Sequence, residues 1–125
     1  MPKARSISEA EWKIMQLLWR QAPQPAYDLA QTLERTDGWN QRMVKTLLNR
    51  LLRKGAVGFK TYKNLYLYYP RVSEEACVME ESESFLQRVF DGSLSLMLVH
   101  YARNKKLSKS EINALKKIID DQKGR

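Results

Sequence analysis

Between Asn40 and Pro70 the chain changes its hydrophobic period, and that change restricts the fold more than any other feature. In "NQRMVKTLLNRLLRKG", Val44, Leu47, Leu48 and Leu51 fall at i, i+3, i+4 and i+7, a single stripe along a helix. Asn40 is the expected N-cap of this helix and Gly55 its C-terminal stop. Directly afterwards, "AVGFKTYKNLYLYYP" alternates with a period of two and is rich in aromatic and β-branched residues, the pattern of strands. "KN" falls between "FKTY" and "LYLYYP" as a hairpin tip, with Asn64 tolerant of positive φ, and Pro70 ends the second strand. A helix with one face to bury, followed at once by a two-stranded hairpin, needs further helices to pack against.

Those helices are legible upstream. "ISEAEWKIMQLLW" begins with a capping box, Ser8 with Glu11, and Ile7 is placed to staple against Trp12. Trp12, Met15 and Trp19 are expected on one face, with Leu18 at its edge. The two prolines of "QAPQPA" stop the helix, and the segment is short enough to hold a brief extended strand. A second helical pattern covers Tyr27 to Arg35, with Leu29, Ala30 and Leu33 together, and "TDG" closes it. Helix, short strand, helix, helix and hairpin is the order of a winged helix-turn-helix, in which the third helix reads DNA and the hairpin is the wing.

From Ser73 the pattern is helical again. "SEEACVMEESESFLQRVFDGS" carries acidic residues early and Arg88 late, as a helix dipole favours, and "DGS" breaks it. "SLSLMLVHYARNKK" is the most apolar stretch, and "LSKSEINALKKIIDD" has a second capping box, Ser108 with Glu111, and the stripe Ile112, Leu115, Ile118 and Ile119. Three short helices leave more apolar side chains than one chain buries, so this part is expected to be a dimerisation arm. The expected fold is mainly α with a small β-hairpin: a winged helix-turn-helix DNA-binding domain over residues 1–72 and a helical dimerisation domain over 73–125. The dimer contacts are expected from Phe85, Leu86, Val89, Phe90, Leu94, Met97, Leu98, Tyr101, Ile112, Leu115 and Ile119.

Charge follows the same division. Residues 1–72 hold 13 Lys/Arg against 5 Asp/Glu, a net of +8, whereas residues 73–125 hold 9 of each. A basic front half favours a polyanion, with nucleic acid ahead of an anionic membrane. On the third helix Gln41, Arg42, Lys45, Thr46, Asn49, Arg50 and Arg53 point away from the apolar stripe, without one carboxylate among them. A merely solvated face ordinarily mixes both signs of charge. Arg and Lys reach guanine edges or phosphates, Asn and Gln pair with adenine, and Thr meets a thymine methyl. On the hairpin, Lys60, Lys63 and Asn64 are candidate wing contacts, although edge strands also carry lysine to block aggregation. Tyr62, Tyr66, Tyr68 and Tyr69 fit a packed hairpin better than a single-stranded RNA platform.

Other function classes find little support. With His100 and Cys77 the sole residues of their types, neither a His-based triad nor a Cys/His metal cluster assembles within one chain, so no enzyme, metal or cofactor is expected. Cys77 reads as a small buried hydrophobe. No run approaches the ~20 apolar residues of a membrane span, and "MPKARSISEAEW" lacks a secretory apolar core, so a cytoplasmic protein without membrane insertion is expected. The competing classes are a winged helix used as a protein-interaction module and an RNA-binding regulator.

"ISEAEWKIMQLLW", "VKTLLNRLLRKGAV", "YLYYPRVSEE" and "FLQRVFDGSLSLMLVHYARNKKLSKSEINALKKII" together resemble the penicillinase-repressor family (BlaI/MecI/CopY), in collinear order over almost the whole chain. The resemblance implies a homodimeric winged-helix repressor on a double-stranded, palindromic DNA operator, shutting off adjacent genes. It implies that Arg42, Lys45, Thr46 and Arg50 enter the major groove, that residues 60–64 form the wing, and that the segment from Ser73 interlocks two protomers. Three departures stand out. The tail "IIDDQKGR" lacks the cysteines of copper-sensing relatives. Where relatives under a β-lactam sensor protease are cut at an Asn-Phe bond, this chain has His100–Tyr101, so the regulatory cut is either absent or of different specificity. Met43 replaces the small polar residue common in relatives, which bears on base preference.

Overall fold

The computed structural model describes residues 6–124. The elements in chain order are α1 (Glu9–Arg20), β1 (Gln24–Pro25), α2 (Ala26–Asp37), α3 (Gln41–Lys54), β2 (Val57–Tyr62), β3 (Leu65–Pro70), α4 (Glu74–Phe90), α5 (Leu94–Asn104) and α6 (Lys109–Lys123). The chain divides into two compact units, one ending at Ser82 and the other starting at Glu83.

In the first unit each helix begins and ends for a local reason. Ser8 caps α1 reciprocally: its hydroxyl accepts from the Glu11 amide (3.1 Å), and the Glu11 carboxylate accepts from the Ser8 amide (2.8 Å). Asn40 caps α3 by accepting from the Met43 amide (2.8 Å). Gly38 and Gly55 close α2 and α3 at φ of 73° and 79°, the left-handed conformation that a Cβ disfavours. The strands form a three-stranded antiparallel sheet in the order β1-β3-β2. Tyr62 pairs with Leu65 across the hairpin tip, where Lys63 and Asn64 both take positive φ (48° and 67°), as a tight two-residue turn requires.

The core of this unit joins α1, α2, α3 and the sheet. Ile14, Met15, Leu18, Leu29, Leu33, Val44, Leu47, Leu48, Leu51, Val57 and Tyr68 are buried in one cluster. The expected stripes of α2 and α3 are the observed ones. The α1 stripe is different: its buried face is Glu11, Ile14, Met15 and Leu18, while Trp12 and Trp19 lie half-buried at the rim, edge to face with centroids 5.6 Å apart. Indole rings with a polar N–H suit such a margin, and the Trp19 Nε1 donates to the Val72 carbonyl (3.0 Å).

The hairpin also departs from expectation. Only Tyr68 of the four tyrosines is buried, whereas Tyr62, Tyr66 and Tyr69 are exposed. β2 and β3 continue past the buried cluster, so the alternation runs on where the tyrosines stay exposed, and Tyr66 stacks on Phe59, centroids 4.2 Å apart. Val72 and Cys77 belong to the same core cluster, and the two compact units divide at 82/83, within α4. Cys77 is 2% exposed, and burial, followed by the nearby Glu80, pushes its thiol pKa up, keeping it protonated.

In the second unit Ser93 caps α5 and Ser108 caps α6 with a complete capping box. Asp91 and Gly92 turn the chain at positive φ between α4 and α5. No side chain of α5 or α6 is buried.

Candidate nucleic-acid interface

α3 is fixed on one side and open on the other. Val44, Leu47, Leu48 and Leu51 are 0–4% exposed, and burying each is worth roughly 1.5–3 kcal/mol. That burial determines which way the remaining side chains point: Gln41, Arg42, Met43, Lys45, Thr46, Asn49, Arg50 and Arg53 are all exposed. Fourteen residues at ~1.5 Å each make a rod about 20 Å long, and an α-helix about 10–12 Å across with its side chains fits the ~12 Å major groove of B-DNA. The Thr46 hydroxyl donates to the Arg42 carbonyl (3.0 Å), which leaves its methyl and its lone pairs for an external contact.

The cations of this face have no carboxylate partner among the described residues. Among the described residues the ion pairs are Lys13 with Asp37 and Lys54 with Glu11, and neither involves Arg42, Lys45, Arg50 or Arg53. Lys54 stands apart from those four: its ammonium is held by Glu11 Oε1 (2.5 Å) and the Ser6 carbonyl (2.7 Å), tying the end of α3 to the start of α1. The arrangement therefore separates structural from available charge on one helix.

The hairpin contributes a second set. Lys60, Lys63 and Asn64 are exposed, and the Lys63 ammonium lies 5.3 Å from the Tyr62 ring centroid. An open cleft of about 280 Å³ runs between the start of α2, the start of α3 and the hairpin. Gln41, Lys45 and Asn64 line it together with Tyr27, Tyr66 and Tyr68. Arg42, Thr46, Asn49, Arg50, Arg53, Lys60 and Lys63 lie outside its lining. Tyr27 is a residue that sequence reasoning passed over, although a tyrosine in the first turn of the helix preceding α3, with Gln31 one turn on, was a readable signal.

The second unit places the expected dimer residues along three helices. Leu86, Phe90, Met97, Leu98 and Leu115 are half-buried, while Phe85, Val89, Leu94, Tyr101, Ile112 and Ile119 are exposed. His100 and Tyr101 sit in the middle of α5, both exposed, and the His100 ring lies 6.2 Å from that of Phe90. Among the described residues no group of three His, Cys, Asp or Glu is placed to hold a metal ion, and no helix is long and apolar enough to cross a membrane.

The comparisons with known proteins agree with this geometry. Residues 7–121 match the penicillinase repressor family model. The penicillinase repressor of Bacillus licheniformis is 31% identical over 125 residues, covering 100% of this chain and 98% of that protein. The methicillin resistance regulatory protein MecI of Staphylococcus aureus (strain N315) is 26% identical over 118 residues, covering 94% and 96%. Among solved structures, the monomeric form of Bacillus licheniformis BlaI in complex with the blaP half-operator superposes with a TM-score of 0.53 at 28% identity, covering 61% of this chain and 93% of that one. With its winged-helix unit, open basic helix and a family match running from Ile7 to Asp121, the chain belongs to the penicillinase repressor family.

Proposed function

We propose that this protein binds a palindromic operator as a homodimer and represses the adjacent genes, with α3 in the major groove and the β2–β3 hairpin as the wing. As a member of its family it is a DNA-binding transcriptional repressor rather than an enzyme. The observation that carries the assignment is the outward face of α3, where Arg42, Lys45, Arg50 and Arg53 stand exposed beside Gln41, Thr46 and Asn49, without a carboxylate partner among the described residues. In this reading Arg42, Lys45 and Gln41, nearest the N-terminal end, meet base edges, and Arg50, Arg53, Lys60, Lys63 and Asn64 meet the sugar-phosphate backbone. Met43, 39% exposed beside Arg42, brings an apolar contact suited to a thymine methyl.

Residues 1–72, extended by the first turns of α4, carry DNA binding, and the remainder joins two protomers. The apolar side chains left exposed on α4, α5 and α6, among them Val89, Leu94, Ile112 and Ile119, support that role. A two-fold dimer matches a palindrome, with half-sites about 34–36 Å apart or a multiple of that spacing. The protein acts in the cytoplasm. The position equivalent to the regulatory cut of relatives, His100–Tyr101, lies within α5, so the cut is either absent here or made by a sensor protease of different specificity after that helix opens locally.

The test is fluorescence anisotropy on a palindrome selected from a randomised duplex pool, against random duplex and single-stranded RNA, with sedimentation of the complex. The expected result is two chains per palindrome, at least ~10³-fold preference over random duplex, and weak competition by RNA. One chain per palindrome, or equal affinity for every duplex, contradicts the proposal.

A further inference from the structure

The cleft beside α3 holds a polar group that the recognition helix does not supply. Tyr27, in the first turn of α2, is 57% exposed and lines the cleft with Gln41, Lys45 and Asn64. Its phenol is oriented from within the protein: Gln31 Nε2 donates to the Tyr27 oxygen at 3.0 Å. That bond occupies a lone pair and leaves the hydroxyl proton without an acceptor among the described residues. A phenol that accepts in this way keeps its proton for an external acceptor.

We propose that Tyr27 is a further DNA-contacting residue, donating its hydroxyl to a backbone phosphate oxygen, with Gln31 as its positioning residue. The inference rests on α3 being the groove helix. Given that, α2 is the first helix of the helix-turn-helix and crosses the sugar-phosphate backbone, so a donor in its first turn meets phosphate rather than a base edge. Lys45, on the same cleft, supplies charge; Tyr27 supplies a neutral, directional donor. The two differ in how they respond to salt, because only a cation displaces a condensed counterion.

Tyr27→Phe removes the proton and keeps the ring, so the full-length chain is the material to test. Anisotropy titrations on the selected palindrome and on a random duplex, each across a range of salt, are expected to show about a three- to tenfold loss on both duplexes. The slope of log K against log salt is expected to match that of the parent. Gln31→Ala, which frees the phenol to rotate, is expected to give a smaller loss with the same unchanged slope. Unchanged affinity in Tyr27→Phe overturns the proposal, and so does a loss confined to the palindrome, which marks a base contact instead. If the parent chain binds neither duplex, the assignment of α3 itself fails, an outcome distinct from the failure of Tyr27 alone.

Discussion

Glu11→Ala removes the one charged side chain buried in the described core, and the structure sets the size of the loss. Glu11 is 1% exposed, completes the Ser8 capping box, and binds the Lys54 ammonium 43 positions away. Losing the box costs about 1 kcal/mol, and losing a hydrogen bond between charged groups about 1.5–3 kcal/mol. Two features reduce the total. The Lys54 side chain is 30% exposed, so its ammonium regains water, and Glu11 Oε2 has no partner among the described residues, so removing it relieves a desolvation cost of about 1 kcal/mol. The expected net loss is about 2 kcal/mol, a fall of roughly 1–2 M in a urea midpoint. Trp12, Trp19 and Trp39 are the chain's three tryptophans and all lie in the first unit, so tryptophan fluorescence of the full-length protein reports on that unit alone. Pairing Glu11→Ala with Lys54→Met is expected to give a coupling energy of about 1–3 kcal/mol. A Glu11→Ala unfolding free energy within about 0.5 kcal/mol of the parent, or strict additivity in the double variant, refutes the reasoning.

The pH dependence follows with a definite sign. Burial opposes ionisation of Glu11, but the Lys54 ammonium and the Ser8 amide and hydroxyl outweigh it, holding its carboxyl below the ordinary value of 4.5. The unfolded chain therefore binds this proton more tightly than the folded one. The contribution is complete above about 4.5 and is lost as pH falls through the lower folded value. The gap in stability between parent and Glu11→Ala is expected to narrow on acidification over that window. Leu48→Ala, at a position 0% exposed, is expected to cost about 2–5 kcal/mol in the same urea assay. Lys45→Ala is expected to weaken binding to palindrome and random duplex alike and to reduce the salt slope by about 1, in anisotropy titrations. Truncation after Ser82 is expected to leave a folded monomer, whereas truncation after Val72 also strips Cys77 from the core and lowers the unfolding free energy by about 1–2 kcal/mol, with sedimentation and fluorescence as the readouts.

The parts legible in the sequence were those fixed by local chemistry. Ser8, Asn40 and Ser108 declared their helices because a cap bonds within three residues, and the stripe of α3 could be read because its buried positions are purely aliphatic. α1 was harder. Its tryptophans are the largest apolar groups and drew the core face toward themselves, yet the indole N–H of Trp19 needs the Val72 carbonyl and sits at the margin. The Glu11–Lys54 pair was invisible for a different reason: each residue is explained locally, one as a cap and one as a terminal cation, and only the fold brings them together. The wing tyrosines show that alternation gives the face of a strand but not whether anything lies against that face. Tyr27 was missed because a tyrosine opening a helix has many uses, and the bond from Gln31 that orients it appears only in three dimensions.

The most direct test of the central claim, that the exposed side of α3 and the hairpin form the DNA surface, is amide chemical-shift mapping of the full-length protein titrated with the selected palindrome. The largest changes are expected to cluster at residues 40–53 and 60–66, with a smaller set at the start of α2 around Tyr27. Changes confined to α5 and α6, or spread evenly without a maximum on α3, contradict it.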